Sequence, residues 1–183
     1  GNSRIMSGHS RWSQIRHKKE LTDKKRGQIF SKLAKLIAIA AKDGTDPETN
    51  SKLKTAIEKA KEFNLPNENI ERAIKRAGEK EKAQFENLLI GAIGPSSVIV
   101  LIEVITDNKN RTMAEIKNIL SENDFKMVAP GGLAWQFERK GREFIPKTPI
   151  KIEGEILKGK LNKLFEKLDE HDDTEEIYSN VIL

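Results

Sequence analysis

The chain has 183 residues, no cysteine, 33% charged residues and a net charge of +5. Without cysteine it forms no disulfide, Fe–S or thiolate-metal site, which fits an intracellular protein, and no apolar run nears the roughly 18–20 residues that cross a bilayer. The charge is segregated: residues 1–82 hold 20 Lys and Arg against 11 Asp and Glu, a balance of +9, whereas residues 83–183 hold 13 against 17, a balance of −4. A basic module joined in sequence to an acidic one is the simplest reading of that asymmetry.

Residues 1–21 form a basic arm, of which residues 1–5, ahead of Met6, read as an expression remnant. Arg11, Arg16, Lys18 and Lys19 lie in it with Trp12 and His17 among them, and Lys24, Lys25 and Arg26 extend the run. Desolvating so many unpaired cations is too costly, so they face water or a polyanion. Residues 8–21 lack apolar periodicity, which suggests disorder without a partner and leaves ordering on contact open. Residues 22–82 read as a three-helix bundle. Ile29, Phe30, Leu33, Leu36, Ile37, Ala40 and Ala41 recur at helical spacing over 22–42, with Thr22 or Asp23 as the cap and Gly44 as the stop. A second helix follows Asn50 and carries Leu53, Ala56, Ile57, Ala60 and Phe63 on one face. Pro66 breaks the chain, and a short third helix runs from about Asn67 to Ala77.

From residue 83 the pattern changes to α+β. Leu88–Ile93 and the β-branched run Ser97–Thr106 predict strands around a Gly94-Pro95 turn. Asn110 is placed to cap a helix through Asn123. Pro130-Gly131-Gly132 reads as a loop, and Leu133, Trp135 and Phe137 alternate as in a strand over 133–138. Ile150 and Ile152 suggest a further strand, 155–168 a helix, and 176–182 a last strand. The order β-β-α-β-β-α-β predicts a ferredoxin-like α/β sandwich over 83–183, a mixed or antiparallel sheet with two helices on one face.

Two basic clusters carry the candidate chemistry. In the first, Arg11, Arg16, Lys18, Lys19, Lys24, Lys25 and Arg26 would neutralise phosphates, with Trp12 and His17 stacking on a base or sugar. A solvated tail, with Trp12 packed on its own domain, is the alternative. In the second, Arg72, Lys75 and Arg76 lie on the third helix, and Arg72 and Arg76, one turn apart, share a face. Gln14, Gln28 and Asn69 match no base-reading arrangement, so sequence specificity has no support. His9, His17 and His171 lack metal-ligand spacing, and no nucleophile elbow, Walker lysine loop or dinucleotide fingerprint occurs. The acidic run Asp169, Asp172, Asp173, Glu175 and Glu176 lacks the spacing of a calcium loop and reads as a solvated turn.

These residues resemble the YebC/PmpR-type family of transcriptional regulators, whose mitochondrial members act as translational activators. The resemblance rests on Gly8-His9-Ser10-Arg11-Trp12, His17-Lys18-Lys19, Lys24-Lys25-Arg26-Gly27, Asp46 to Asn50, Ala56 to Lys61 and Asn69 to Lys75. It continues through Thr106-Asp107-Asn108, Asn110-Arg111-Thr112, Ala134-Trp135, Phe137 to Gly141 and Ile177 to Asn180. It implies a non-enzymatic nucleic-acid-binding regulator of gene expression, with DNA as the first partner and ribosomal RNA, in a translation factor, as the alternative. A protein–protein adaptor is the reading from a different class. No cofactor, metal, membrane or small-molecule substrate is expected, and the implied location is the cytoplasm, or the mitochondrial matrix for a eukaryotic source. Family members commonly carry a further α/β domain after the Phe137 to Gly141 segment. Here Arg142 to Pro146 follow almost at once, so the chain resembles a short form.

Overall fold

The computed structural model describes residues 21–79, 84–141 and 143–182, and its chain divides into two compact units. Within the described range, one holds residues 21–87 with Ile105–Asp107 and the other holds Leu88–Val104 with residues 108–182.

The helical unit is built from α1 (Asp23–Ala40), α2 (Ser51–Glu62) and α3 (Asn67–Arg76). Helix α1 packs against both of the others. Its stripe of Ile29, Leu33, Leu36, Ile37 and Ala40 is buried, as are Leu53, Ala56 and Ala60 of α2 and Ile70 and Ala73 of α3. Burying each Leu or Ile contributes about 1.5–3 kcal/mol. The connection between α1 and α2 is fixed by Asn50. Its side chain accepts from the Leu53 backbone N–H at 3.2 Å and donates to the carbonyls of Ala40 and Gly44, both at 2.8 Å. One buried amide therefore caps the start of α2 and ties down the end of α1. Helix α2 stops in a Schellman turn: Asn64 takes φ 61° and the Leu65 N–H returns to the Ala60 carbonyl at 3.0 Å.

In the second unit the strands β1 (Glu86–Ile93), β2 (Ile99–Thr106), β3 (Lys126–Val128) and β7 (Thr174–Ser179) form one sheet in the order β3-β1-β2-β7. Strand β3 runs antiparallel to β1, and β7 antiparallel to β2. Helices α4 (Lys109–Glu122) and α5 (Glu155–Glu170) cover one face. There Ile116, Leu120, Leu161, Leu164, Phe165 and Leu168 meet Ile90, Val100, Ile102 and Ile177. The expected α+β sandwich with two helices on a face is present, and the chain visits it in the order ββαβαβ.

The second face is covered as well. Leu133 and Phe137 pack with Ile99, Leu101 and Tyr178, and the hairpin of β4 (Phe137–Lys140) and β5 (Glu143–Pro146) lies over them through the Phe144 ring, 5.2 Å from that of Tyr178. The strand expected over 133–138 is therefore corrected. Residues Pro130–Gly132 and Ala134–Gln136 are 3-10 turns, and the strand starts only at Phe137. Leu133 and Phe137, four residues apart, still face the core, whereas Trp135 turns outward and is 67% exposed. The helix cap expected at Asn110 belongs to Asn108, whose side chain accepts from the Arg111 N–H at 3.2 Å. The segments β6 (Ile150–Lys151) and β8 (Val181–Ile182) pair in parallel, so the expected last strand is split in two.

Candidate nucleic-acid interface

Of the candidate phosphate-binding residues, Arg11, Trp12, Arg16, His17, Lys18 and Lys19 lie outside the described residues. The other six, Lys24, Lys25, Arg26, Arg72, Lys75 and Arg76, all fall on α1 and α3 of the helical unit.

Lys24, Lys25 and Arg26 occupy the first turn of α1. Thr22 caps the helix by accepting from the Lys25 N–H at 3.2 Å. Lys24 and Arg26 are exposed and Lys25 is half-buried. Asp23 offsets part of the charge through an exposed contact to Arg26 at 3.4 Å. A helix start carries the positive end of the macrodipole, where each cation is unfavourable by about 0.3–1 kcal/mol. Three consecutive cations there oppose the stability of α1, so helix formation does not account for them. Bound phosphate would reverse the sign, because the cations and the helix dipole then act together.

Arg72, Lys75 and Arg76 line a groove of about 600 Å³ whose walls also include Ala34 of α1 and Asn69 and Ala73 of α3. Ala34 and Ala73 open it, since neither side chain extends beyond Cβ. The Arg76 guanidinium stands 5.0 Å above the Phe85 ring, a cation–π contact that holds one wall in place. Lys75 and Arg76 lie in the last turn of α3, where the dipole favours cations, so a structural role accounts for them in part. Arg72, in mid-helix and exposed, gains nothing from the dipole. At a rise of about 1.5 Å per residue, Ala34 sits roughly 12 Å along α1 from Arg26, so one helix contributes to both basic features. Periodicity identified the cations but not the groove, whose signal is the pair of alanines on facing helices.

The acidic run is not the solvated turn expected. Asp169, Asp173, Glu175 and Glu176 are buried, and only Asp172 of the five is exposed. Asp173 Oδ2 accepts from Arg111 Nη2 and from Thr112 Oγ1, both at 2.8 Å. The Asp173 N–H donates to His171 Nδ1 at 3.2 Å, which leaves the ring proton on Nε2, 2.5 Å from Glu115 Oε2. Arg111 closes the set at 3.3 Å from Glu115. The Asp173 carboxylate beside Arg111 raises that guanidinium above its ordinary pKa. The His171 hydrogen bond, helped by Arg111, holds Glu115 below the ordinary value of 4.5. This network joins the start of α4 to the α5–β7 turn. Among the described residues no group of three or more His, Asp or Glu is arranged to hold a metal ion.

A folded Glu115 with a depressed pKa contributes stability that is present above about pH 4.5 and is lost as pH falls through its lower folded value. The gap in urea midpoint between the wild type and Glu115→Gln is therefore expected to be largest near neutrality and to close on acidification. A gap that does not change with pH would refute the linkage.

A basic helical unit with a groove, followed in sequence by an α+β sandwich, defines the class: a two-unit protein with its excess positive charge on the helical unit. The chain belongs to the TACO1/YebC family. The family's N-terminal-domain model matches residues 10–80, and the model of its second and third domains matches residues 85–142. A probable transcriptional regulatory protein of Pseudothermotoga lettingae is 43% identical over 92% of this chain and 67% of its own length. Another, from Caldanaerobacter subterraneus, is 51% identical over 78% of this chain and 60% of its own. A crystal structure of a conserved hypothetical protein from Aquifex aeolicus superimposes with a TM-score of 0.82 at 30% identity, covering 93% of this chain and 96% of that one.

The chain thus spans about 60–67% of the length of the first two relatives. With a third, from Natranaerobius thermophilus, the alignment covers 96% of both chains over 240 positions, more than the 183 residues here. That relative has internal residues without counterparts in this chain. The second- and third-domain model stops at residue 142, next to Gly141, where the sequence pattern places the shortened segment.

Proposed function

We propose that this protein is a non-enzymatic nucleic-acid-binding regulator of gene expression, acting as a DNA-binding transcriptional regulatory protein through its helical unit. The observation that carries the reading is the set of three cations in the first turn of α1, a position that costs the helix stability. Arg72, Lys75 and Arg76 around the groove add a second basic feature to the same unit, and relatives at 43% and 51% identity bear the name probable transcriptional regulatory protein. In this reading Lys24, Lys25 and Arg26 hold phosphates, joined by Arg11, Arg16, Lys18 and Lys19, while Trp12 and His17 stack on a sugar, or on a base where one is open. Gln14, Gln28 and Asn69 match no base-reading arrangement, so binding is expected to be weakly selective for sequence.

The test is a salt titration of affinity for a short DNA duplex. Each neutralised phosphate adds roughly 0.9 to the slope of log affinity against log salt, so the slope should be about −3 or steeper. A flat response overturns the mechanism. Co-sedimentation with ribosomal particles from a lysate, with no salt-dependent binding to duplex DNA, would move the assignment to ribosomal RNA.

A further inference from the structure

We propose that the α+β unit carries a second nucleic-acid contact of a different kind, a stacking platform at Trp135 for an unpaired base of a single-stranded segment. This rests on the nucleic-acid reading above and adds a substrate form to it.

Trp135 is 67% exposed, and no other aromatic side chain among the described residues is exposed. A tryptophan has about 150–250 Å² to bury, so leaving it in water forgoes a large stabilisation. Its position is nevertheless fixed. The indole Nε1–H donates to the Gly132 carbonyl at 2.9 Å, and the turn that carries it is held through its neighbours Leu133 and Phe137, which are buried in the second core. The hydrogen bond anchors the ring by its edge. The adjoining Gly131 and Gly132 put no side chain on the surface of the turn, and a Cβ built on either meets nothing within 4 Å.

Charge is the second observation. Residues 83–183 are acidic overall, yet residues 138–151 hold Arg139, Lys140, Arg142, Lys147 and Lys151 against only Glu138 and Glu143. Lys147 is held next to the turn, because its N–H donates to the Gln136 carbonyl at 2.9 Å, one residue from Trp135. Arg139, Lys140, Lys147 and Lys151 are all exposed. The Arg139 guanidinium lies 5.3 Å from the Phe144 ring centroid.

A rigid, exposed indole followed by exposed cations on strand β4 (Arg139, Lys140) and on the chain after the hairpin (Lys147, Lys151) matches a ligand that alternates flat apolar groups with negative charge. Single-stranded nucleic acid has that character, since its bases offer open faces and its phosphates repeat beside them. A duplex does not, because its bases are already stacked on each other. An acidic protein surface would satisfy the cations but not the indole.

The experiment uses the full chain with Trp12→Phe, which leaves Trp135 as the one tryptophan and keeps an aromatic ring at position 12. Binding of labelled oligodeoxythymidylate and of a matched duplex is first established by anisotropy, and Trp135 emission is then followed at saturation. Oligodeoxythymidylate is expected to quench it, whereas the duplex and inorganic polyphosphate should not. In the otherwise native chain, Trp135→Ala should weaken single-strand binding about tenfold and leave duplex affinity unchanged. Trp135→Phe should restore most of the loss, with circular dichroism unaltered in both variants. Single-strand binding without quenching, or equal quenching by polyphosphate, overturns the platform and leaves the phosphate-binding role of the helical unit intact. Absence of binding to either nucleic acid at low salt overturns that role, and the platform with it.

Discussion

Replacing Lys24, Lys25 and Arg26 together with alanine is expected to weaken duplex DNA binding by about tenfold to a hundredfold at low salt. Exposed ion pairs contribute up to about 1 kcal/mol each, and each tenfold in affinity corresponds to about 1.4 kcal/mol. The loss should be the same for unrelated sequences, because contacts to phosphate carry no sequence information. The salt slope should also fall by roughly 2 to 3, in step with the three phosphates no longer neutralised. The variant should at the same time be no less stable than the wild type. Three cations leave the positive end of α1 while the Thr22 cap is kept, and alanine is the strongest helix former. Opposite movements of affinity and stability separate a binding role from a structural one. A variant that loses stability along with affinity would show that the cations serve the fold, and loss at a single sequence would reveal base readout.

The helical unit is legible in the sequence because its signals are local. The 3.6-residue stripe of Ile29, Leu33, Leu36 and Ile37, the cap at Asn50 and the break at Pro66 each act within a few residues of the element they define. Strand β2 is equally plain from its β-branched run. The second unit is less legible wherever the deciding partner is distant. Asp173 reads as solvated because Arg111, which pairs with it, lies 62 residues away. Strand β3 has three residues, too few to show a period. Leu133, Trp135 and Phe137 alternate as in a strand, but the four-residue step from Leu133 to Phe137 equally suits a helical turn. Only the packing of both residues beneath the hairpin, with Trp135 outward, decides between the two. The groove depends on Ala34 and Ala73 lying on facing helices, a relation that neither helix carries alone.

Gly94→Ala is expected to cost about 3 kcal/mol, the upper end for overpacking a well-filled core. The backbone at Gly94, with φ −128° and ψ −167°, suits alanine, so the penalty is steric. A Cβ there would stand 2.3 Å from the tip of the Phe125 ring. The ring has little room to yield. Phe125 is buried among Ile90, Ala92 and Val98, and its backbone is fixed by the Schellman turn that ends α4, where Asp124 takes φ 63° and the Phe125 N–H returns to the Leu120 carbonyl at 2.9 Å. Gly94 therefore lets the β1–β2 turn approach the end of α4, joining the central hairpin to the helix above it. Phe125→Leu shortens the ring at the point of collision and, alone, leaves a cavity. In the Gly94→Ala background it should relieve the clash, so the double variant should be more stable than the two single losses together imply. Urea unfolding of all four proteins measures that coupling, which should reach about 1 kcal/mol or more for groups in direct contact. Additive losses would show that the sheet moves instead of the ring and that Phe125 does not set the approach.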